Sequence, residues 1–354
     1  MEVKKRVSYP LGMFDLVKGM GMIGIVLSHT TAETPASPWL IFLIELMQAG
    51  MMGIYYGVNG FHFRPTASFS QSVKKHAKEY LPFYFRLAAI VLLYLLVTDR
   101  DSLPGFALAF VLGVMNPVQL GSVSVMYISM GWFLLALLWS SILLDLVLKI
   151  KDERIRIGVI VALLLCGVAL ETRYFTYYAL CRGLQALPGM YIGYCIHSRD
   201  LLEKPATAAY RVVSCLLFAA TLYVCAKDYF LAPDSGNYFI CYCLFMLCDA
   251  TWAYLAIFFS RDTLNCSSVV LEWIRKIGRY TPWIVILHSL EMLCKIIDPI
   301  QAIANEDLRF AVQFLLRSIF IFLGCILMDK LDRYERQWKR KRRSKKRARK
   351  RAAV

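Results

Sequence analysis

A histidine closes the apolar run Phe14-Asp15-Leu16-Val17-Lys18-Gly19-Met20-Gly21-Met22-Ile23-Gly24-Ile25-Val26-Leu27-Ser28-His29. Ionisable side chains are costly in hydrocarbon, so one retained there is by default a functional candidate. A neutral imidazole of near-neutral pKa suits the removal of a proton from a hydroxyl. At about 100° per residue, Asp15, Lys18 and His29 share one stripe of a helix. At about 1.5 Å per residue, Asp15 and His29 are still about 21 Å apart along the axis, so they serve different depths of one crevice. A packing histidine bonded to a neighbouring helix fits the same spacing. Glu33, one turn beyond His29, or Glu45 on the next apolar run can hold its tautomer.

His288 is followed by Glu291 at i+3 and Glu291 by Lys295 at i+4, a chain along one helix face that serves structure as readily as chemistry. His76 and His197 fall in or beside polar connections and are expected to be solvated; His62, beside Arg64, is expected at an interface. The stretch Lys74-Lys75-His76-Ala77-Lys78, with Pro82 and Arg86 after it, can grip phosphates, but taken alone it reads more readily as a lipid-headgroup contact. Arg182, Asp249 and Arg317 sit inside apolar runs, where they must pair or line a cavity.

The elements that hold these residues follow from composition. The 354 residues are 58% hydrophobic and 19% charged, with a mean hydropathy of +0.52, beyond what a soluble globular chain carries. An all-α polytopic membrane bundle is expected. Ten apolar runs have spanning length, near 12–31, 39–61, 81–98, 127–148, 155–171, 176–196, 208–226, 238–260, 280–297 and 309–329. An eleventh, 103–116, is short and broken by Pro104 and Pro117, so it is expected to be re-entrant or interfacial. With ten spans, Lys and Arg gather in alternate connections, which places both termini in the cytoplasm.

The chain divides into a membrane domain, 1–335, and a polybasic tail, 336–354, read as an appendage. Eleven of the thirteen residues from Lys339 to Arg351 are Lys or Arg, so the net charge of +16 leaves only +5 elsewhere. Anionic membrane headgroups are the expected partner of the tail. Nucleic acid is not, because no aromatic residue interleaves the basic run after Trp338. The eleven cysteines include no Cys-x-x-Cys pair, and neither a disulfide framework nor a metal site is expected. No cleavable signal peptide is expected, since the first apolar run has spanning length.

Five ordered stretches give the chain a resemblance to the acyltransferase family 3 membrane proteins, the O-acyltransferases of surface glycans. Asp15, Lys18 and His29 keep the spacing of the family's opening acidic, basic and histidine residues. Tyr55-Tyr56-Gly57-Val58-Asn59-Gly60-Phe61 echoes its Phe-Phe-x-x-Ser-Gly-Phe motif. Lys74, Lys75 and Lys78 run into Pro82-Phe83-Tyr84, as its basic loop runs into a Pro-x-Tyr entry. Gly131-Trp132-Phe133-Leu134 matches its Trp-Phe-Leu span, and Gly278-Arg279-Tyr280-Thr281 to Ile286-Leu287-His288 its late Tyr-Leu-x-His stretch. Lys18 stands where arginine is usual and Asn59 where serine is usual; lysine lacks the bidentate fork of arginine.

The resemblance implies transfer of an acyl group, usually acetyl, from acyl-coenzyme A to a hydroxyl of a glycan or lipid-linked sugar at the plasma (inner) membrane. Acyl-coenzyme A is then a co-substrate, and no tightly bound cofactor is expected. His29 is the implied base, with Glu33 and His288 beside it. Lys18, Lys74, Lys75, Lys78 and Arg86 are the implied donor contacts, and Asn59, Trp132, Arg182 and Glu291 the acceptor contacts. A transporter or flippase for a lipid-linked sugar or small solute, and an inactive family member acting as an assembly partner, are the alternatives. The two halves show no repeat symmetry of the kind a transporter carries.

Overall fold

The computed structural model describes residue 10 and residues 12–351, apart from 32, 33, 35, 49, 122, 174–176, 204–207, 232–237, 294–299 and 301; the side chains of 45–48, 210, 224–231, 238–241, 332, 336 and 339–351 are not described. Helices α1 (Asp15–Thr31), α2 (Pro38–Gln48), α3 (Met51–Phe61), α4 (Phe69–Thr98) and α5 (Leu103–Leu112) precede a small antiparallel hairpin, β1 (Val118–Leu120) with β2 (Val123–Val125). Then follow α6 (Gly131–Val147), α7 (Glu153–Thr172), α8 (Leu180–Ser198), α9 (Ala208–Leu231), α10 (Tyr238–Asp262), α11 (Val269–Arg279), α12 (Thr281–Leu293) and α13 (Glu306–Arg351).

The chain is a helical membrane protein. Among the described residues, α4, α7, the Tyr242–Asp262 part of α10 and the Glu306–Glu335 part of α13 are long and apolar enough to cross a membrane. Leu93, Val97, Leu323 and Leu327 are exposed, the reverse of the sorting that water imposes.

Local chemistry sets where the helices begin and end. The Ser68 hydroxyl accepts from Gln71 N–H to cap α4, Asp152 accepts from the N–H of Arg154 and Ile155 to cap α7, and Ser268 accepts from Leu271 N–H to cap α11. Pro104 lies in the first turn of α5, where its missing N–H costs nothing, and Gly113 ends that helix in the left-handed region. The 103–116 run is therefore a short helix leading into the hairpin.

Helix α8 is the hub, packed against α3, α6, α7 and α10. Tyr55, Tyr56, Phe133, Leu137, Ala186, Leu187 and Met190 interlock where α3, α6 and α8 meet. Helix α1 packs against α11, and α12 against α13.

Three expectations need correction. The 39–61 run is two helices, because Gly50 adopts φ 87° and a Cβ there would meet Trp252 Cδ1 at 2.1 Å. Lys74, Lys75 and Lys78 are not in a loop; the Ser68 cap starts α4 ahead of them, so they ride its first turns. His76 is not solvated: it is buried and stacked on Phe63, with ring centroids 5.5 Å apart. The backbone of α13 continues as helix through Arg351, into the polybasic segment.

Candidate active site

Helices α1, α12 and α13 close around one chain of polar groups. Near the end of α1, the His29 ring lies edge-on to that of His288 on α12, with centroids 5.2 Å apart. His288 Nδ1 is 3.0 Å from Glu291 Oε2, one helical turn along. The other carboxylate oxygen of Glu291 is 2.8 Å from Arg317 Nε on α13. Arg317 Nη1 then donates to Thr30 Oγ1 at 3.3 Å, and Thr30 Oγ1 donates to Val26 O, which returns the chain to α1. The next residue along α12, Ser289, accepts from the Met130 N–H ahead of α6.

The side chains of His288, Glu291 and Arg317 are all 3% exposed or less, whereas His29 is only half-buried. Charges so deep cost several kcal/mol each to desolvate, about 3–5 kcal/mol being the penalty when one partner of a buried pair is removed. Among the described residues, His288 Nε2 is a buried nitrogen with no hydrogen-bond partner.

The other end of α1 carries a second polar group. Asp15 is bridged by Lys18 Nζ at 2.9 Å and by Arg279 Nε of α11 at 3.0 Å. The helices approach this closely because residue 278 is glycine, where a Cβ would fall 1.8 Å from Asp15 O. Tyr55 Oη of α3 donates to Lys18 O at 2.7 Å. His62, just past α3, is held below the ordinary histidine value, first by burial and then by the positive charges of His197, Lys18 and Arg64. This mouth is electropositive. Lys18 and His29 are eleven residues apart, about 16 Å along α1.

Two further groups lie in the bundle. Asn59 Nδ2 donates to Tyr80 Oη at 2.7 Å, and Tyr80 Oη is 3.3 Å from Ser141 Oγ, joining α3, α4 and α6. On α8, Arg182 pairs with Glu171 of α7, and its guanidinium faces the rings of Trp132 at 5.7 Å and Tyr242 at 5.8 Å. Gln185 Nε2 donates to Glu171 Oε2 at 2.6 Å. A guanidinium between aromatic faces beside a carboxylate can recognise a polar ligand that also offers an apolar face.

The residues singled out by sequence therefore separate into groups. His29, His288 and Glu291 meet, and so do Trp132 and Arg182. Asn59 stands apart with Tyr80, and Lys18 with Asp15. Lys75 Nζ donates to Arg64 O, while Lys74, Lys78 and Arg86 are exposed along α4. Glu33 and Lys295 lie outside the described residues, as does the side chain of Glu45. Among the described residues, no three His, Cys, Asp or Glu side chains are grouped to hold a metal ion.

Thr30, Glu171 and Gln185 were not singled out by sequence, and Arg279 was quoted only within a longer stretch, with no role of its own. Glu171, a carboxylate at the end of an apolar run, was the available signal, but its partners on α8 come from a later segment. Arg317 stood out as a charge in a span, yet its partner is 26 residues away on another helix.

Comparison with curated proteins and with solved structures finds no match. Comparison with protein families matches residues 12–341, nearly the whole chain, to the acyltransferase domain of acyltransferase family 3. That match takes in α1 to α12 and α13 as far as residue 341, and by it the chain belongs to acyltransferase family 3.

Proposed function

We propose that this membrane acyltransferase moves an acyl group, usually acetyl, from acyl-coenzyme A to a hydroxyl of a glycan or lipid-linked sugar. The observation that carries this reading is the pairing of a half-buried His29 with a buried His288 that rests on Glu291. His29 takes the hydroxyl proton as the oxygen attacks the thioester carbonyl; the C–O bond forms, the C–S bond breaks, and the thiolate leaves to be protonated as free coenzyme A. Positioning of the two substrates supplies much of the remaining rate.

The ten-span layout places both termini and the Asp15 end of α1 at the cytoplasmic face of the plasma membrane, where acyl-coenzyme A is made. Lys18 and the basic side chains Lys74, Lys75, Lys78 and Arg86 belong to that face and attract the donor's phosphates. The exposure of Lys74 and Lys78 on α4 and the positive surroundings of His62 support an electrostatic role over a tight clamp. His29 lies toward the other face, where an exported sugar is met. Asn59, Trp132 and Arg182 are the acceptor contacts, Arg182 and Trp132 being the pair best suited to a sugar ring and its hydroxyls.

Reconstituted protein given acetyl-coenzyme A labelled in the acetyl group, together with a membrane glycolipid extract, is expected to yield alkali-labile label in the glycan fraction. His29→Ala should lower that transfer by about 10²–10⁴-fold with expression and thermal unfolding unchanged. Undiminished transfer in the variant removes His29 from the chemistry, and failure to bind any acyl-coenzyme A favours transport of the sugar.

A further inference from the structure

We propose that Arg317 and Glu291, acting through His288, fix the tautomer of His29 so that His29 presents an unprotonated ring nitrogen to the crevice. This rests on the acyl-transfer reading for its purpose, but its geometry stands without it. The Arg317 guanidinium places Nε 2.8 Å from Glu291 Oε1, the geometry of an ion pair with a carboxylate. A carboxylate only accepts hydrogen bonds, so the His288 nitrogen 3.0 Å from Oε2 must be the one that bears hydrogen. One cation and one anion already balance within this group, and a neutral imidazole on His29 and on His288 adds no uncompensated charge to it.

His288 Nε2 is then a bare acceptor, buried and without a hydrogen-bond partner. Leaving it so costs about 1–3 kcal/mol. The ring packed against it is that of His29, with centroids 5.2 Å apart. An N–H···N bond of about 3 Å plus a ring radius of about 1.1 Å at each end spans that separation. A small rotation of either ring lets His29 donate its N–H to His288 Nε2, which commits the other His29 nitrogen to the role of proton acceptor. His29 is the half-open member of the pair, so it touches substrate; His288, Glu291 and Arg317 are positioning residues. Glu291 reaches His29 through the His288 ring that it holds.

The test separates this role from simple charge balance. Arg317→Met and Glu291→Met each leave a buried unpaired charge and should lower thermal stability, whereas Glu291→Met with Arg317→Met removes both charges and should restore it. Transfer of label from acetyl-coenzyme A should nonetheless stay down by at least about 10²-fold in kcat in the double variant, with KM unchanged. His288→Asn, which leaves the Glu291–Arg317 pair intact, is a second variant that does not depend on refolding around lost charges. Nitrogen NMR of ¹⁵N-histidine-labelled full-length protein in lipid should show His29 with one protonated and one bare nitrogen in the wild type, and exchange-averaged nitrogens in both variants. A double variant within about threefold of wild-type transfer, or a His29 that keeps its single tautomer in both, overturns the assignment. If the wild type transfers no label, the acyl-transfer reading falls while the NMR result still decides this one.

Discussion

Single side chains in this molecule are held by partners from distant segments. Asp145, 1% exposed near the end of α6, accepts from Thr66 N–H at 2.8 Å and from the Thr66 hydroxyl, fastening the connection between α3 and α4. Asp145→Ala leaves the Thr66 N–H without its acceptor, and a loss of about 1–3 kcal/mol is expected. Thermal unfolding in lipid should show it as a lowered Tm; an unchanged Tm means that the connection is held without Asp145. Nothing in the run around Asp145 singled it out. The same holds for His76, where a basic neighbourhood suggested solvent and tertiary packing supplied Phe63. Asp15 shows both cases, since Lys18 at i+3 is legible from helical spacing while Arg279 is not.

Helices here meet through residues too small to keep them apart. A Cβ at Gly193 of α8 would fall 2.0 Å from Gly57 O of α3, and backbone cannot give way as a flexible side chain can. Gly193→Ala should therefore part α3 from α8 at a cost of about 1–3 kcal/mol, and it should loosen the Asn59 side of the bundle with it. Gly158 in α7 has nothing within 4 Å of the same position. Gly158→Ala should be neutral or stabilise by up to about 1 kcal/mol through helix propensity alone. Measuring both by thermal unfolding checks the contact, and equal shifts would deny it. Apolar runs marked where helices are, but a run is blind to a break such as Gly50 and to a basic turn that a serine cap has already made helical.

At the scale of the whole molecule, the layout across the membrane decides which face supplies each substrate. Ala304 and Gln71 are exposed beside apolar runs, which makes them the positions to label. In a cysteine-free background, Ala304→Cys should react with an impermeant thiol reagent from outside the cell, and Gln71→Cys only from the cytoplasmic side. The reverse pattern overturns the ten-span layout. Helix α13 has 46 residues, about 69 Å at 1.5 Å per residue. A hydrocarbon core of about 30 Å accounts for less than half of that, so its basic end must stand in water or among headgroups.

Composition and the apolar runs of spanning length pointed to a helical membrane protein, because a helix satisfies its own backbone within hydrocarbon. Ordered motifs along the sequence carried the family, and helical spacing carried the links from His288 to Glu291 and from Asp15 to Lys18. The tertiary structure alone decided that His29 meets His288, that Arg317 answers Glu291, and that Trp132 faces Arg182. Those contacts join helices whose order in the chain says nothing of their neighbours in the bundle. In hydrocarbon a charge must find its partner wherever packing places one.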